Sequence, residues 1–176
     1  MPELILPETY ELEYHAKLLG DARTMAFRPG TVDFPEEQYD RFCEYWFAEE
    51  NPAERMFRLI YCEGCGYFVG EVSYERVAED SAELTLIIQK DLRESGYGGW
   101  TLKEIARIAQ ENGIRTLRVT VNPETNESLE FLLKRGFSKI EKDAEKAVLC
   151  ASCDKLAKGE KRALEEICCC CRKKAE

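Results

Sequence analysis

The sequence predicts an α/β chain organised around a parallel β–α–β unit, and three consecutive features predict it. An apolar run, Leu84-Thr85-Leu86-Ile87-Ile88, reads as a buried strand. Leu102, Ile105, Ala106 and Ala109 recur at helical spacing, and the pattern stops at Asn112-Gly113, a common helix terminus. Thr116-Leu117-Arg118-Val119-Thr120-Val121 then reads as a second strand, ended by Asn122-Pro123. Parallel strands joined through a helix take a right-handed crossover. The turn before the helix therefore lies at the C-terminal end of the first strand, where open α/β sheets bind ligands.

The remaining elements follow in chain order. Residues 9–27 carry Leu12, Ala16, Leu19 and Met25, so a helix is expected there, with a short strand as its alternative lead-in. Arg28-Pro29-Gly30 reads as a turn. A second helix opens at Phe34-Pro35-Glu36-Glu37, with Pro35 in its first position. Tyr39, Phe42, Cys43, Trp46 and Phe47 form its apolar face, and Asn51-Pro52 closes it. Met56 to Tyr61 and Tyr67 to Tyr74 read as the strands of a hairpin that turns through residues 62–66. A loop around residues 78–81 leads into the central strand. After Phe137, Ser138 to Lys142 and Ala147 to Cys150 read as two short strands. From Asp154 the chain reads as a charged helix with Leu156, Ala163, Leu164, Ile167 and Cys171 on one side.

The turn between the central strand and its helix carries the chemistry. Gln89-Lys90-Asp91-Leu92-Arg93-Glu94-Ser95-Gly96-Tyr97-Gly98-Gly99 is glycine-rich at a helix N-terminus. Backbone N–H groups are open there, the helix dipole adds partial positive charge, and glycine lets a phosphate approach the main chain. Gly96, Gly98 and Gly99 are the expected backbone donors, and Arg93 adds a full charge. A plain β–α turn would also use glycines for tight packing.

Arg93-x-x-Gly96-x-Gly98 resembles the pyrophosphate-binding motif of the GNAT acetyltransferase superfamily. Ala82 to Ile88 resembles that family's fourth strand, Phe68-Val69-Gly70-Glu71-Val72 its third strand, and Asn126-x-Ser128 with Leu132 to Phe137 its fourth helix and the Gly-Phe beyond. The resemblance implies a GNAT-like fold: a mixed, mostly antiparallel sheet of six to seven strands, splayed at its centre, with helices on both faces. It implies an acetyltransferase domain over residues 1–153, its core at 55–150, followed by a Cys-rich helical tail at 154–176. The long N-terminal part and short loops are similar to those of bacterial members.

The same resemblance implies a site and a reaction. Acetyl-CoA is the expected donor and a primary amine, on a small molecule or a peptide, the expected acceptor. Ile87, Ile88, Gln89, Arg93, Glu94, Ser95, Gly96, Tyr97, Gly98 and Gly99, with Asn122 and Asn126, are the expected cofactor-binding positions. Thr125 or Asn126 also suits a helix cap. Amine transfer needs a proton acceptor and a donor for the acyl oxygen. Glu83 matches the position that some members of the family use as general base, though a solvated strand-end glutamate reads the same, and Glu71 on the neighbouring strand is the second choice. The backbone N–H of Ile88 is the expected oxyanion donor. The family usually protonates the leaving thiolate with a tyrosine four residues before Gly-Phe, and Leu132 occupies that position here. A thiol of pKa about 8.5 leaves tolerably without an acid. The helix bearing Tyr39, Tyr45 and Trp46 is the expected wall of the acceptor cleft. His15, the one histidine, reads as structural.

Composition narrows the alternatives. With 25 Lys and Arg against 34 Asp and Glu, the net charge is −9, which argues against a nucleic-acid partner and mildly favours cationic acceptors. No apolar run approaches the ~18 residues needed to cross a membrane, and the first residues lack the basic and apolar regions of a signal peptide. The cytoplasm is therefore the expected compartment, and the nine cysteines are expected free, buried or metal-bound rather than paired. Cys150-x2-Cys153-x14-Cys168-x2-Cys171 resembles a zinc spacing, and Cys62-Glu63-Gly64-Cys65 resembles a zinc knuckle. The hairpin turn and Cys150 are expected at opposite ends of the sheet, so one site using both is not expected; the tail cysteines suit a metal, a partner helix or plain apolar packing, and no metal ligand is assigned. Relatives commonly form homodimers.

Overall fold

The computed structural model describes residues 1–27, 30–124, 126–142 and 146–159. Seven strands form one sheet: β1 (Pro2–Ile5), β2 (Arg55–Cys62), β3 (Tyr67–Ala78), β4 (Ser81–Ile88), β5 (Thr116–Val121), β6 (Ser138–Lys142) and β7 (Ala147–Ser152). Their spatial order is β1-β2-β3-β4-β5-β7-β6. Every neighbouring pair is antiparallel except β4 and β5.

Side chains on a strand alternate between faces, and the two faces carry different cores. On one, Ala82, Leu84 and Ile88 of β4 pack with α3 (Tyr97–Glu111), α4 (Asn126–Lys134) and α5 (Cys153–Ala157), through residues such as Ile105, Leu129 and Leu156. On the other, Ile87 packs with Leu18 and Leu19 of α1 (Leu12–Gly20) and with Met25. The second helix on that face, α2 (Tyr39–Phe47), has no fully buried residue. Its Phe42, Trp46 and Phe47 rest against Phe57 of β2, at ring separations of 5.1, 5.8 and 6.1 Å. The mixed, splayed sheet with helices on both faces therefore stands as the sequence predicts.

Three local expectations need correction. The helix expected over 9–27 is a 3-10 turn, Thr9–Glu11, followed by α1, which stops at Gly20. Asp21 ends it: its carboxylate accepts from the Arg23 N–H at 3.1 Å and the Thr24 hydroxyl at 2.5 Å, a local turn that competes with helix. Pro35 precedes the next helical turn as its N-cap rather than filling its first position. The β2–β3 hairpin is longer than expected and carries a register shift at Ile60 and Tyr61. The short strand before the first helix is present as β1. The turn at Arg28-Pro29, the cap at Thr125 and the tail beyond Gly159, with Ala163, Leu164, Ile167 and Cys168 to Cys171, lie outside the described residues.

Candidate active site

β4 and β5 share only three pairs, Ser81 with Thr116, Ala82 with Leu117 and Glu83 with Arg118. Beyond Glu83 they diverge around a cleft of about 350 Å³, whose walls include Leu84, Leu86, Ile88, Val119 and Val121. The backbone is oriented for this gap. Gln89 donates its N–H to the Val69 carbonyl oxygen at 3.0 Å, and antiparallel pairing alternates residue by residue. The N–H groups of Ile87 and Gln89 thus face β3, while those of Leu86 and Ile88 face the gap. Gly70, partner of Ile88 on β3, makes this register possible: a Cβ there would run into the Ile87 carbonyl oxygen.

The glycine turn follows directly. After a 3-10 turn, Lys90–Leu92, the backbone is left-handed at Glu94 (φ 62°) and Gly96 (φ 94°). Gly96 is the N-cap of α3, and no side chain caps the helix. The N–H groups of its first turn on Gly98 and Gly99 can therefore face an anion. A Cβ on Gly98 would lie 3.0 Å from the Phe131 ring, and one on Gly99 would lie 2.7 Å from the Arg135 guanidinium. Both glycines thus also let α4 press against the turn. Arg135 lies over the Phe131 ring at 5.7 Å from its centroid.

Arg93 is more engaged than its sequence position suggests. Its Nε donates to the Ile88 carbonyl oxygen at 3.1 Å and its Nη2 to the Thr24 carbonyl oxygen at 2.6 Å. Its Nη1 lies 3.6 Å from Glu127, which also accepts from Lys90 Nζ at 2.8 Å. The Lys90 hydrogen bond, with the nearby Arg93 charge, holds the Glu127 carboxyl below its usual range.

Of the cofactor positions expected from sequence, Ile88, Arg93, Glu94, Gly96, Gly98 and Gly99 line the cleft. Ile87, Gln89, Ser95, Tyr97 and Asn122 do not. Ile87 faces the α1 side of the sheet, and Tyr97 turns away to donate its hydroxyl to Cys62 Sγ at 3.3 Å. The Asn122 side-chain oxygen accepts from the Glu124 N–H at 2.9 Å. Asn126 is the first residue of α4. Phe27, Thr120, Phe131 and Arg135 line the cleft without having been singled out. Phe131 and Arg135 carried a signal, since with Glu127 they recur every four residues on one helix face. Leu132, at the family's tyrosine position, is buried on the cleft wall.

The face under α1 and α2 carries carboxylates. Glu83 accepts from the Thr120 hydroxyl at 2.7 Å and lies 3.6 Å from Arg118 Nε, a buried atom with no hydrogen-bond partner among the described residues. Glu75 pairs with Glu83 in register and accepts from the Tyr45 hydroxyl. Glu71 and His15 lie 2.6 Å apart, Oε2 to Nδ1, at 3% and 7% residue exposure. Among the described residues, no three His, Cys, Asp or Glu side chains converge as a metal site requires. Cys62, paired with Tyr67, lies past the Gly70–Ile88 end of the β3–β4 ladder, and Cys150, level with Arg118 and Glu83, lies toward the other end, so the two are apart as expected from sequence.

A family model described as an acetyltransferase (GNAT) domain matches residues 4–138. No curated protein matches the sequence. Similar solved structures include the GNAT domain of S. lividans PAT, 18% identical over 86% of this chain and 89% of that one, TM-score 0.69. Spermidine N-acetyltransferase from Vibrio cholerae, in complex with CoA and spermine, is 11% identical over 88% and 97%, TM-score 0.72. PaiA N-acetyltransferase from Thermoplasma acidophilum, in complex with coenzyme A, is 17% identical over 86% and 99%, TM-score 0.64. At these identities the likeness is one of fold. No helix among the described residues is long and apolar enough to cross a membrane.

Proposed function

Because the chain belongs to the GNAT acetyltransferase family, we propose that it transfers an acetyl group from acetyl-CoA to a primary amine by direct attack. One observation carries the reading: the splay turns the Leu86 and Ile88 N–H groups toward a cleft that ends at the uncapped N-terminus of α3. One set of donors suits an acyl oxygen, and the other suits a pyrophosphate. The glycines that a Cβ would close off, with Arg93 and Arg135 beside them, fit the same group.

Acetyl-CoA supplies an activated thioester. The chain's own groups do the rest. The 93–99 turn holds the pyrophosphate, and the Ile88 N–H stabilises the acyl oxygen as charge develops on it. Glu83, or an ordered water, accepts the amine's proton. Since Glu83 already holds the Thr120 hydroxyl and faces Arg118, a water is the easier route to it. Leu132 offers no proton to the leaving thiolate, so that proton comes from solvent.

Two relatives were solved with CoA, and one of them with spermine, which supports the donor and a cationic acceptor. The net charge of −9 and the carboxylates of Glu75 and Glu83 point the same way.

The test is calorimetric titration of reduced protein with acetyl-CoA, Gly98→Trp serving as the blocked control. Micromolar binding that the substitution abolishes supports the reading. A folded protein that does not bind acetyl-CoA removes it. Glu83→Gln should keep donor affinity and lose turnover in a thiol-release assay.

A further inference from the structure

The sequence holds nine cysteines, and the acetyl transfer proposed above uses none of them. Among the described ones, two converge. Cys62 ends β2 and Cys65 sits in the turn to β3, where the Cys65 and Gly66 N–H groups both donate to the Cys62 carbonyl oxygen, at 3.0 and 2.8 Å. Gly66 is left-handed at φ 75°, a conformation glycine adopts without strain, and it closes the turn. The turn brings both sulfurs to one hydroxyl: Tyr97 Oη lies 3.3 Å from Cys62 Sγ and 3.8 Å from Cys65 Sγ. A tetrahedral zinc with Zn–S bonds of ~2.3 Å holds two thiolates ~4 Å apart, a separation open to two sulfurs that share a hydroxyl.

Such an ion takes two more ligands, and the other described cysteines are elsewhere. Cys43 is on α2, over the opposite face of the sheet, with its Sγ 3.6 Å from the Thr9 hydroxyl. Cys150 is level with Arg118 and Glu83. Cys153 opens α5, its N–H on the Arg115 carbonyl oxygen at 2.8 Å. The direction of α5 leads to the remaining cysteines. The helix begins against Arg115, past the C-terminal end of α3, and by Gly159 the chain is level with Lys103, whose Nζ donates to the Gly159 carbonyl oxygen at 3.5 Å. It therefore runs back along α3 toward the end that carries Tyr97. From Lys103 to Tyr97 is ~9 Å of helix axis. The chain from Gly159 to Cys168 spans ~14 Å as helix and up to ~30 Å extended, so the tail thiols reach the hairpin turn in either form. Cys168 and Cys171 repeat the C-x-x-C spacing, and Arg172-Lys173-Lys174 follow, cations that favour thiolate over thiol.

We infer that Cys62, Cys65, Cys168 and Cys171 form a structural zinc site that pins the tail beside the start of α3. Four thiolates leave no open position on the ion, so the site holds chain together rather than activating water. Zinc displaces the thiol protons to solvent, and no oxidant or reductant takes part. Cys62 is buried and Cys65 half-buried, so the domain forms the inner wall of the site and the tail the outer one. The Tyr97 hydroxyl donates to the Cys62 sulfur and orients it, the kind of outer contact that fixes a metal ligand.

The test uses full-length, tag-free protein kept reduced. Purified without added metal, wild type should carry one zinc per chain by elemental analysis. Stripped and titrated with cobalt(II), it should show the strong visible absorption of a tetrahedral ion, with charge-transfer intensity for four Co–S bonds. Cys62→Ser and Cys65→Ser should each lose the zinc, and so should the combination of Cys168→Ser, Cys169→Ser, Cys170→Ser and Cys171→Ser, which leaves the described domain untouched. Cys43→Ser, Cys150→Ser and the pair Cys169→Ser with Cys170→Ser should keep it. Tyr97→Phe should weaken zinc affinity by ~10-fold or more. Reduced wild type that takes up neither zinc nor cobalt overturns the site. Zinc that survives in Cys62→Ser or in the fourfold tail variant overturns the ligand set, as does a cobalt spectrum with only two Co–S bonds. Loss of zinc from the Cys169→Ser, Cys170→Ser pair overturns the choice of Cys168 and Cys171.

Discussion

Arg93 donates to the Thr24 carbonyl oxygen at 2.6 Å and so ties the end of β4 to the segment after α1, 69 residues earlier. Its Nε holds the Ile88 carbonyl oxygen as well. The residue expected to grip a pyrophosphate is therefore also a brace for the strand that carries the oxyanion donor. Arg93→Ala should weaken acetyl-CoA binding and lower stability by about 1–3 kcal/mol, the cost of leaving buried acceptors unmade. Arg93→Lys should recover the charge without the two-point brace. Melting temperature and donor affinity measured together decide this; an unchanged melting temperature in Arg93→Ala would refute the bracing role.

Glu127 sits between Lys90 and Arg93 at the mouth of the cleft. A phosphate brought there must share those cations with it. Glu127→Gln should therefore tighten acetyl-CoA binding by about two- to fivefold at low salt, the scale of a partly exposed ion pair, and the gain should fade at high salt. Titrations at two ionic strengths check both parts.

Gly70→Ala is expected to be a severe change for one methyl group. The new Cβ meets the Ile87 carbonyl oxygen and crowds Ile88, so β3 and β4 must separate. Overpacking of this kind costs about 1–3 kcal/mol, and it moves the Ile88 N–H. A fall in kcat exceeding any change in donor affinity, alongside a lower melting temperature, is the expected pattern.

Cys153 makes stability depend on alkaline pH. Burial raises its thiol to about 11, from 9.0. The unfolded chain therefore ionises first as pH rises, and it binds fewer protons than the native state between those values. Stability from this group is complete below pH 9 and is lost progressively toward pH 11, by on the order of 1–2 kcal/mol. Tyr74, pushed up to about 12 by burial, extends the decline. Melting curves from pH 8 to 11 should fall more steeply for wild type than for Cys153→Ala.

Backbone features were legible from sequence, and side-chain directions were less so. The β4 run, the glycines and the Asn112-Gly113 stop are local signals, and α3 ends at those residues, with Gly113 left-handed at φ 79°. Residues 87 to 99 read as one continuous site because a motif gives no face; strand alternation sends Ile87 to the α1 side, and the first turn of α3 sends Tyr97 to Cys62. His15 read as structural, but its partner Glu71 lies in another element, so the pairing was not legible. Phe131 and Arg135 join the cleft only because Gly98 and Gly99 admit α4. The four-residue spacing marks the helix face that carries them, but which element that face meets is not written in local pattern.

The three-pair junction between β4 and β5 has a consequence for cooperativity. The sheet is two ribbons, four strands and three, stitched at one end and bridged by α3. A ligand whose amides bond to Leu86 and Ile88 takes the place of the missing rungs, so occupancy and integrity become one equilibrium. At a hundred times its Kd such a ligand adds ~2.7 kcal/mol to stability. Backbone amides of β5 and β7 should gain exchange protection along with those of β4, making the far ribbon a reporter of what binds in the cleft.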